Sequence, residues 1–436
     1  MKTKFGLITM TVLVSILVSA CGGQATPAEP TPTAENKPKE PYTMTIFGGG
    51  VTPAEFDERF REVLKQKFPH ITVEYIQNAK GTTMAELVAA GNVPDLIRTD
   101  VPTLYSGYLD FDLGVDLKPY IEKYKYDLSR FNPVFMNEIV DAGRSGAIYG
   151  LPVPPYFPQA LYYNKDIFDK FGVPYPKDGM TWDQVYELAQ KLTRVDGGTV
   201  YRGFSSNPVN MLRDNAYSLP ILDPNADQLA DSEKWKSLFT NFKRFYDISN
   251  NKIEKTATLE GAAFGKGNVA MMANQHSVYL TIPPEVNWDL VSYPIMEGAP
   301  KLMPQRGPAY WSISKSSKHK DDAFDMIRAM LADEVQMEDS KRGIPTTLNR
   351  KDIKDALGKS HPIYSTKNMN AINHYDPVPY TPKRKAGLPD VAGATQQSLL
   401  SQAFIDVASG TTTDINTALR QLDEKLKAEL MKQQNK

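Results

Sequence analysis

Cysteine is nearly absent: Cys21 is the only one in 436 residues. That excludes an intrachain disulfide, and it excludes a thiolate cluster able to hold zinc or an iron–sulfur group. Motifs that carry enzyme chemistry are missing too, with no HExxH pair, no GxSxG elbow and no Walker lysine. The five histidines, His70, His276, His319, His361 and His374, are scattered rather than clustered. No metal, cofactor or catalytic residue is therefore expected. A glycosidase needs only two carboxylates, and 51 acidic residues leave that class open. Neither sign of charge is in excess, since 50 Lys and Arg face those 51 acids for a formal net charge of −1. This argues against a nucleic-acid partner held by electrostatics. The apolar run from Phe5 to Ala20 is too short to span and hold a bilayer.

That run instead reads as an address. Lys2 and Lys4 precede it and small residues follow, as in a secretory signal over residues 1–20. It closes on Leu17-Val18-Ser19-Ala20-Cys21, which resembles the bacterial lipobox. The resemblance implies cleavage before Cys21 and a diacylglyceryl thioether on its sulfur. Two acyl chains suffice for stable attachment, here to the outer face of the cytoplasmic membrane, where one is marginal. Residues 21–41 follow with Pro27, Pro30, Pro32, Pro38 and Pro41 and almost no apolar side chains. Such a stretch cannot bury enough surface to order itself and reads as a flexible linker.

The rest exceeds what one hydrophobic core covers, so two domains are expected. Tyr42 to Phe47 alternates as a strand and runs into Gly48-Gly49-Gly50. Thr52-Pro53-Ala54-Glu55 carries an N-cap, a first-turn proline and a capping-box glutamate. Ile71 to Ile76 is the next strand. The glycines lack GxGxxG spacing and are read as letting backbone approach a ligand, with Gly49 as the contact, or the second lobe. A helix over 82–90 ends at Gly91, and a short strand follows with Thr99 and Asp100 at its carboxyl end, where open α/β sheets bind ligands. Asp100 is equally suited to capping a turn before Pro102. Tyr149 to Asn164 then breaks from a strand into Pro152, Pro154, Pro155 and Pro158 around Tyr156 and Phe157. Proline removes ladder donors, so this stretch is read as a crossing between two bodies, with the two rings in the crevice. Further breaks at Tyr293-Pro294 and Gly343-Ile344-Pro345 suggest a second and a third crossing.

Six segments in order resemble the family 1 extracellular solute-binding proteins, the maltose-binding group. They are Ala89-Ala90-Gly91 with Pro94-Asp95, Tyr149-Gly150-Leu151-Pro152, Tyr162-Tyr163-Asn164-Lys165, Gly172-Val173-Pro174 with Thr181-Trp182-Asp183, Phe264 to Met271, and Trp311 to Lys318. The resemblance runs from about residue 43 to the C-terminus. It implies an α/β, type II periplasmic-binding-protein-like fold of two lobes joined by three crossover segments. Lobe I would comprise 43–153 plus 293–342, and lobe II 154–292 plus 343–436. It further implies a monomer that holds a carbohydrate between the lobes and hands it to ABC permease subunits. A secreted glycoside hydrolase, or a surface lipoprotein with no transport role, would use the same parts.

Candidate ligand contacts combine rings with fixed polar groups, which suits sugar C–H faces and hydroxyls. They are Gly49, Thr99, Asp100, Tyr156, Phe157, Asn274, Gln275, His276, Arg306, Tyr310 and Trp311. Several have plainer alternatives. Trp311 alternates with the core of its strand, Arg306 could be a solvated loop charge, and Asn274 could form a turn. Trp182, at a helix start, is read as packing. Gln275-His276-Ser277 also departs from the group's pattern, which has an aromatic after the Asn-containing turn.

Overall fold

In the computed structural model, which describes residues 40–434, Tyr42–Gly48 forms β1 and Ile71–Gln77 forms β2, paired in parallel. The signal segment 1–20, Cys21 and the linker to residue 39 lie outside the described residues. Between the two strands Thr52 caps the helix at Pro53, its hydroxyl accepting from Glu55 N at 3.2 Å. The expected box does not close, because the Glu55 carboxylate turns to accept from Arg59 Nη1 at 2.9 Å. Helix Pro53–Phe56 continues through a π turn, Asp57–Arg61, into Glu62–Lys67. Phe56, Phe60 and Leu64 face the core along this path.

Leu96–Asp100 is β3, parallel to β1 on its other side. Before it, Thr83 and Glu86 form both halves of a capping box on helix Met84–Ala89, and the chain leaves through Gly91 at φ +73°. The remaining strands are β4 (Leu151–Val153), β5 (Phe157–Asn164), the hairpin β6 (Arg194–Asp196) and β7 (Thr199–Tyr201), β8 (Ser205–Ser206), β9 (Met271–Gln275), β10 (Trp288–Ser292), β11 (Gln305–Arg306) and β12 (Ala309–Ile313). They build two main sheets, β2-β1-β3-β12-β4 and β10-β5-β9-β8, with β11 on the start of β5. Strand β12 runs antiparallel to both neighbours.

The chain passes from the first sheet to the second between β4 and β5, and returns between β11 and β12. The sequence placed that return at Tyr293-Pro294, and the structure moves it to Gly307-Pro308. Residues 293–306 stay with the second lobe: Tyr293 packs edge-on against Trp182 at 5.2 Å, Ile295 N donates to Met180 O, and Gln159 N donates to Pro304 O, both at 2.9 Å. The third passage also comes later than Gly343. Thr347 Oγ1 donates to Pro152 O at 3.0 Å, Asn349 N to Arg130 O at 2.7 Å, and Ile353 is in the first lobe's core. A proline after a strand marks where the ladder stops, not which body comes next.

Strand β12 is covered on both faces. Trp311 and Ile313 join Met44, Phe60 and helix Lys320–Met330 on one side, while Tyr310 joins Phe47, Leu104 and Tyr108 on the other. In the second lobe Trp182 is buried against Phe204, Phe242 and Phe245. The C-terminal helices Gly393–Ala408 and Ile415–Gln434 close that core through Phe404, Leu419 and Leu422. Among the described residues no helix is long and apolar enough to cross a membrane.

Candidate ligand-binding cleft

Where the carboxyl ends of β1 and β3 face the start of β5 and the turn after β9, a cleft of about 950 Å³ opens. That lies toward the upper end of small-molecule sites, about 300–1,000 Å³. Its two walls differ in chemistry. The first lobe presents Asn78, Thr83, Thr99, Thr103 and Ser106 with the Gly49-Gly50 backbone. Glycine is required here on two counts: a Cβ at Gly48 would run into the Tyr75 hydroxyl, and Gly50 sits at φ +71°.

The second lobe presents rings in a connected run. Phe157 lies 6.1 Å from His276, His276 5.6 Å from Tyr279, Tyr279 4.4 Å from Tyr364, and Tyr364 stacks on His361 at 3.7 Å. Burial pulls the His276 pKa down to about 3, so its imidazole is neutral in the physiological range. Leu280, 66% exposed, extends the apolar face.

The floor is made by the crossings and by arginines. Arg59, with 1% of its side chain exposed, donates to Asp339 and Glu55 and gives Nη2 to Pro154 O at 2.8 Å, tying the first crossing to two helices. Burial works against its charge, and Asp339 and then Glu55 more than offset this, so its pKa is raised. Arg306 of β11 reaches across to Asp100 of β3 at 2.9 Å, and its guanidinium stands 5.8 Å over Phe157. Arg342 pairs with Glu58 at 3.0 Å. Arg98 donates from Nη1 to Gly49 O at 2.7 Å. Burial first, and then Arg59, lower its pKa to about 10, which leaves it charged at neutral pH. Among the described residues no group of three or more His, Cys, Asp and Glu is placed to hold a metal.

Residues 50–337 match the bacterial extracellular solute-binding protein family. The chain belongs to that family. Among solute-binding relatives, an uncharacterized ABC transporter extracellular-binding protein of Pyrococcus horikoshii is 24% identical over 194 residues, 43% of this chain and 42% of that protein. The match thus spans less than half of that relative's length. Two solved structures share the two-lobed α/β architecture. An ABC substrate-binding protein of Listeria monocytogenes in complex with cycloalternan is 22% identical, covering 89% of this chain and 99% of that one at a TM-score of 0.67. The sugar-binding protein MalE of Xanthomonas citri is 18% identical, covering 90% and 98% at 0.69.

Of the contacts expected for this solute-binding protein, Gly49, Thr99, Asp100, Phe157, His276 and Arg306 line the cleft together. Asp100 also caps the turn after β3, accepting from Thr103 N at 3.1 Å, so both readings of it describe one residue. Five others are placed elsewhere. Tyr156 points away from its neighbour Phe157 and packs on Phe135 at 5.0 Å and on Met303. Tyr310 and Trp311 are buried because β12 is an interior strand with helices on both faces. Asn274 accepts from Asn210 Nδ2 at 3.0 Å. Gln275 and Gln159 each donate to the buried carboxylate of Asp214 at 2.9 Å, so these amides serve a structural network.

Sequence reasoning missed Arg98, Arg59, Tyr279, His361 and Tyr364. Arg98 had a signal, a cation set between Leu96-Ile97 and Thr99 inside a short apolar strand. His361 and Tyr364 had none, since only the third passage brings them to the cleft.

Proposed function

We propose that this solute-binding protein captures a carbohydrate between its lobes outside the cytoplasmic membrane and delivers it to the permease of an ABC importer, held to the membrane by a lipid on Cys21. The observation that carries the reading is the pairing of walls. Rings on one lobe suit the C–H faces of a sugar, and hydroxyl, amide and guanidinium groups on the other suit its hydroxyls. A ligand touching both walls favours the closed arrangement by its differential affinity for it. The likeness to proteins described as sugar-binding, or solved with cycloalternan, supports the same class. The carboxylates of Glu55, Glu58 and Asp100 in the cleft are each ion-paired with an arginine, which suits positioning more than proton donation to a glycosidic oxygen.

A thermal-shift screen over oligosaccharides, peptides and polyamines tests this. A bound ligand at 100 times its Kd adds about 2.7 kcal/mol of stability. A shift with oligosaccharides is expected; shifts with peptides alone would refute the carbohydrate assignment. Once a sugar is found, Phe157→Ala should weaken it roughly 3- to 10-fold in calorimetry, the range of one aromatic platform. Unchanged affinity would remove Phe157 from the site.

A further inference from the structure

The arginines of the cleft are not equivalent. Arg59 is matched by Glu55 and Asp339, Arg306 by Asp100, and Arg342 by Glu58. Arg98 has no such partner: among the described residues no carboxylate lies within ion-pairing distance, and its hydrogen bonding stops at Gly49 O. Its Nε is buried with no acceptor. With Nη1 committed to the glycine carbonyl and Nε sealed from the cleft, Nη2 is the nitrogen left to meet a ligand. Its N–H groups suit an acid oxygen.

The surroundings sharpen the asymmetry. Of the charges near Arg98, Arg59 repels it, and Glu55 and Asp100 are already engaged by other guanidinium groups. A buried cation lacking a counter-charge is held at a free-energy penalty that an incoming anion relieves. Its charge persists at neutral pH, as described above.

We propose that the solute is an anionic saccharide whose acid group, a carboxylate or a sulfate, binds Nη2 of Arg98. The inference rests on the carbohydrate reading and narrows it to acidic sugars. The sugar ring carrying the acid lies against the Gly49-Gly50 turn, and the remaining rings extend toward Phe157 and Tyr364.

Calorimetry on the whole chain tests it with uronate-containing di- to tetrasaccharides, their neutral methyl esters, sulfated disaccharides and uncharged oligosaccharides. An acidic member should bind roughly 10- to 100-fold tighter than its neutral counterpart, the range for one charge-assisted pair. Arg98→Met should erase that ratio, and Arg98→Lys should restore part of it. Whichever acid series responds identifies the acid group. Neutral sugars binding as tightly as every acidic one, or an acid-to-ester ratio unchanged in Arg98→Met, would overturn the anionic assignment and leave the carbohydrate reading standing. No saccharide binding at all would overturn both. Should Arg98→Met fail to fold, the ester comparison on the wild-type chain and the Arg98→Lys variant decide.

Discussion

Replacing Arg59 by methionine should lower the stability of the protein by about 3–5 kcal/mol, the usual effect of removing one partner from a buried ion pair. The side chains of Arg59 and Asp339 are each 1% exposed. The guanidinium gives Nε to both Asp339 oxygens at 3.1 Å, and Nη2 to Oδ2 at 2.9 Å. Without it Asp339 keeps its charge in the interior with no donor facing it, and Pro154 O loses its partner at the first crossing. Urea unfolding of Arg59→Met, Asp339→Leu and the double variant separates the pair from simple packing. The double variant should recover most of the loss, since an apolar replacement of both partners removes the uncompensated charge. A single variant within about 1 kcal/mol of wild type would mean that the pair is not load-sharing in the way the geometry implies.

A second large effect is tied to pH. Glu138, on helix Pro133–Gly143, is buried against the backbone of Gly307, where a Cβ would collide with its carboxylate. Burial pushes its pKa up to about 7, although Lys383, Tyr310 and Arg306 each pull the other way. The hydroxyl of Tyr310 lies 2.9 Å from Phe135 O and 3.0 Å from Glu138 Oε2. One hydroxyl proton serves only one acceptor. A protonated Glu138 donating to the Tyr310 oxygen, while Tyr310 donates to Phe135 O, satisfies all three groups. The folded chain therefore holds this proton more tightly than the unfolded chain, in which the carboxyl titrates near 4.5. Its contribution is complete below that value and is lost as pH rises through about 7, amounting to roughly 3 kcal/mol. Glu138→Gln keeps the shape without the titration. The stability of the variant relative to wild type should rise by that amount between about pH 5 and pH 8. Parallel profiles would show that Glu138 is ionised in the folded protein.

Local chemistry in the sequence was legible where it depended on neighbours in the chain. The helix expected over 82–90 forms and is left through Gly91, Trp182 packs at its helix start, and Thr99 and Asp100 stand at the end of β3. Side-chain direction at the first crossing was not legible. Tyr156 and Phe157 are adjacent, and extended backbone sends neighbours to opposite sides, so only one could face the cleft. Which one depends on β11 pairing with Phe157 and Pro158, a contact some 150 residues away in the chain. Trp311 failed for a related reason: nothing in Tyr310 to Ile313 says that both faces of the strand will be covered. The passages at Gly307 and after Ile353 were likewise set by distant pairings rather than by the nearest proline.

Strand β12 occupies the middle of the first sheet, between β3 and β4, although it is made long after both. A growing polypeptide thus has an unfilled slot in its leading half until residue 313 has been synthesised. Closing it demands contacts of high sequence separation, which slow the search for the native arrangement.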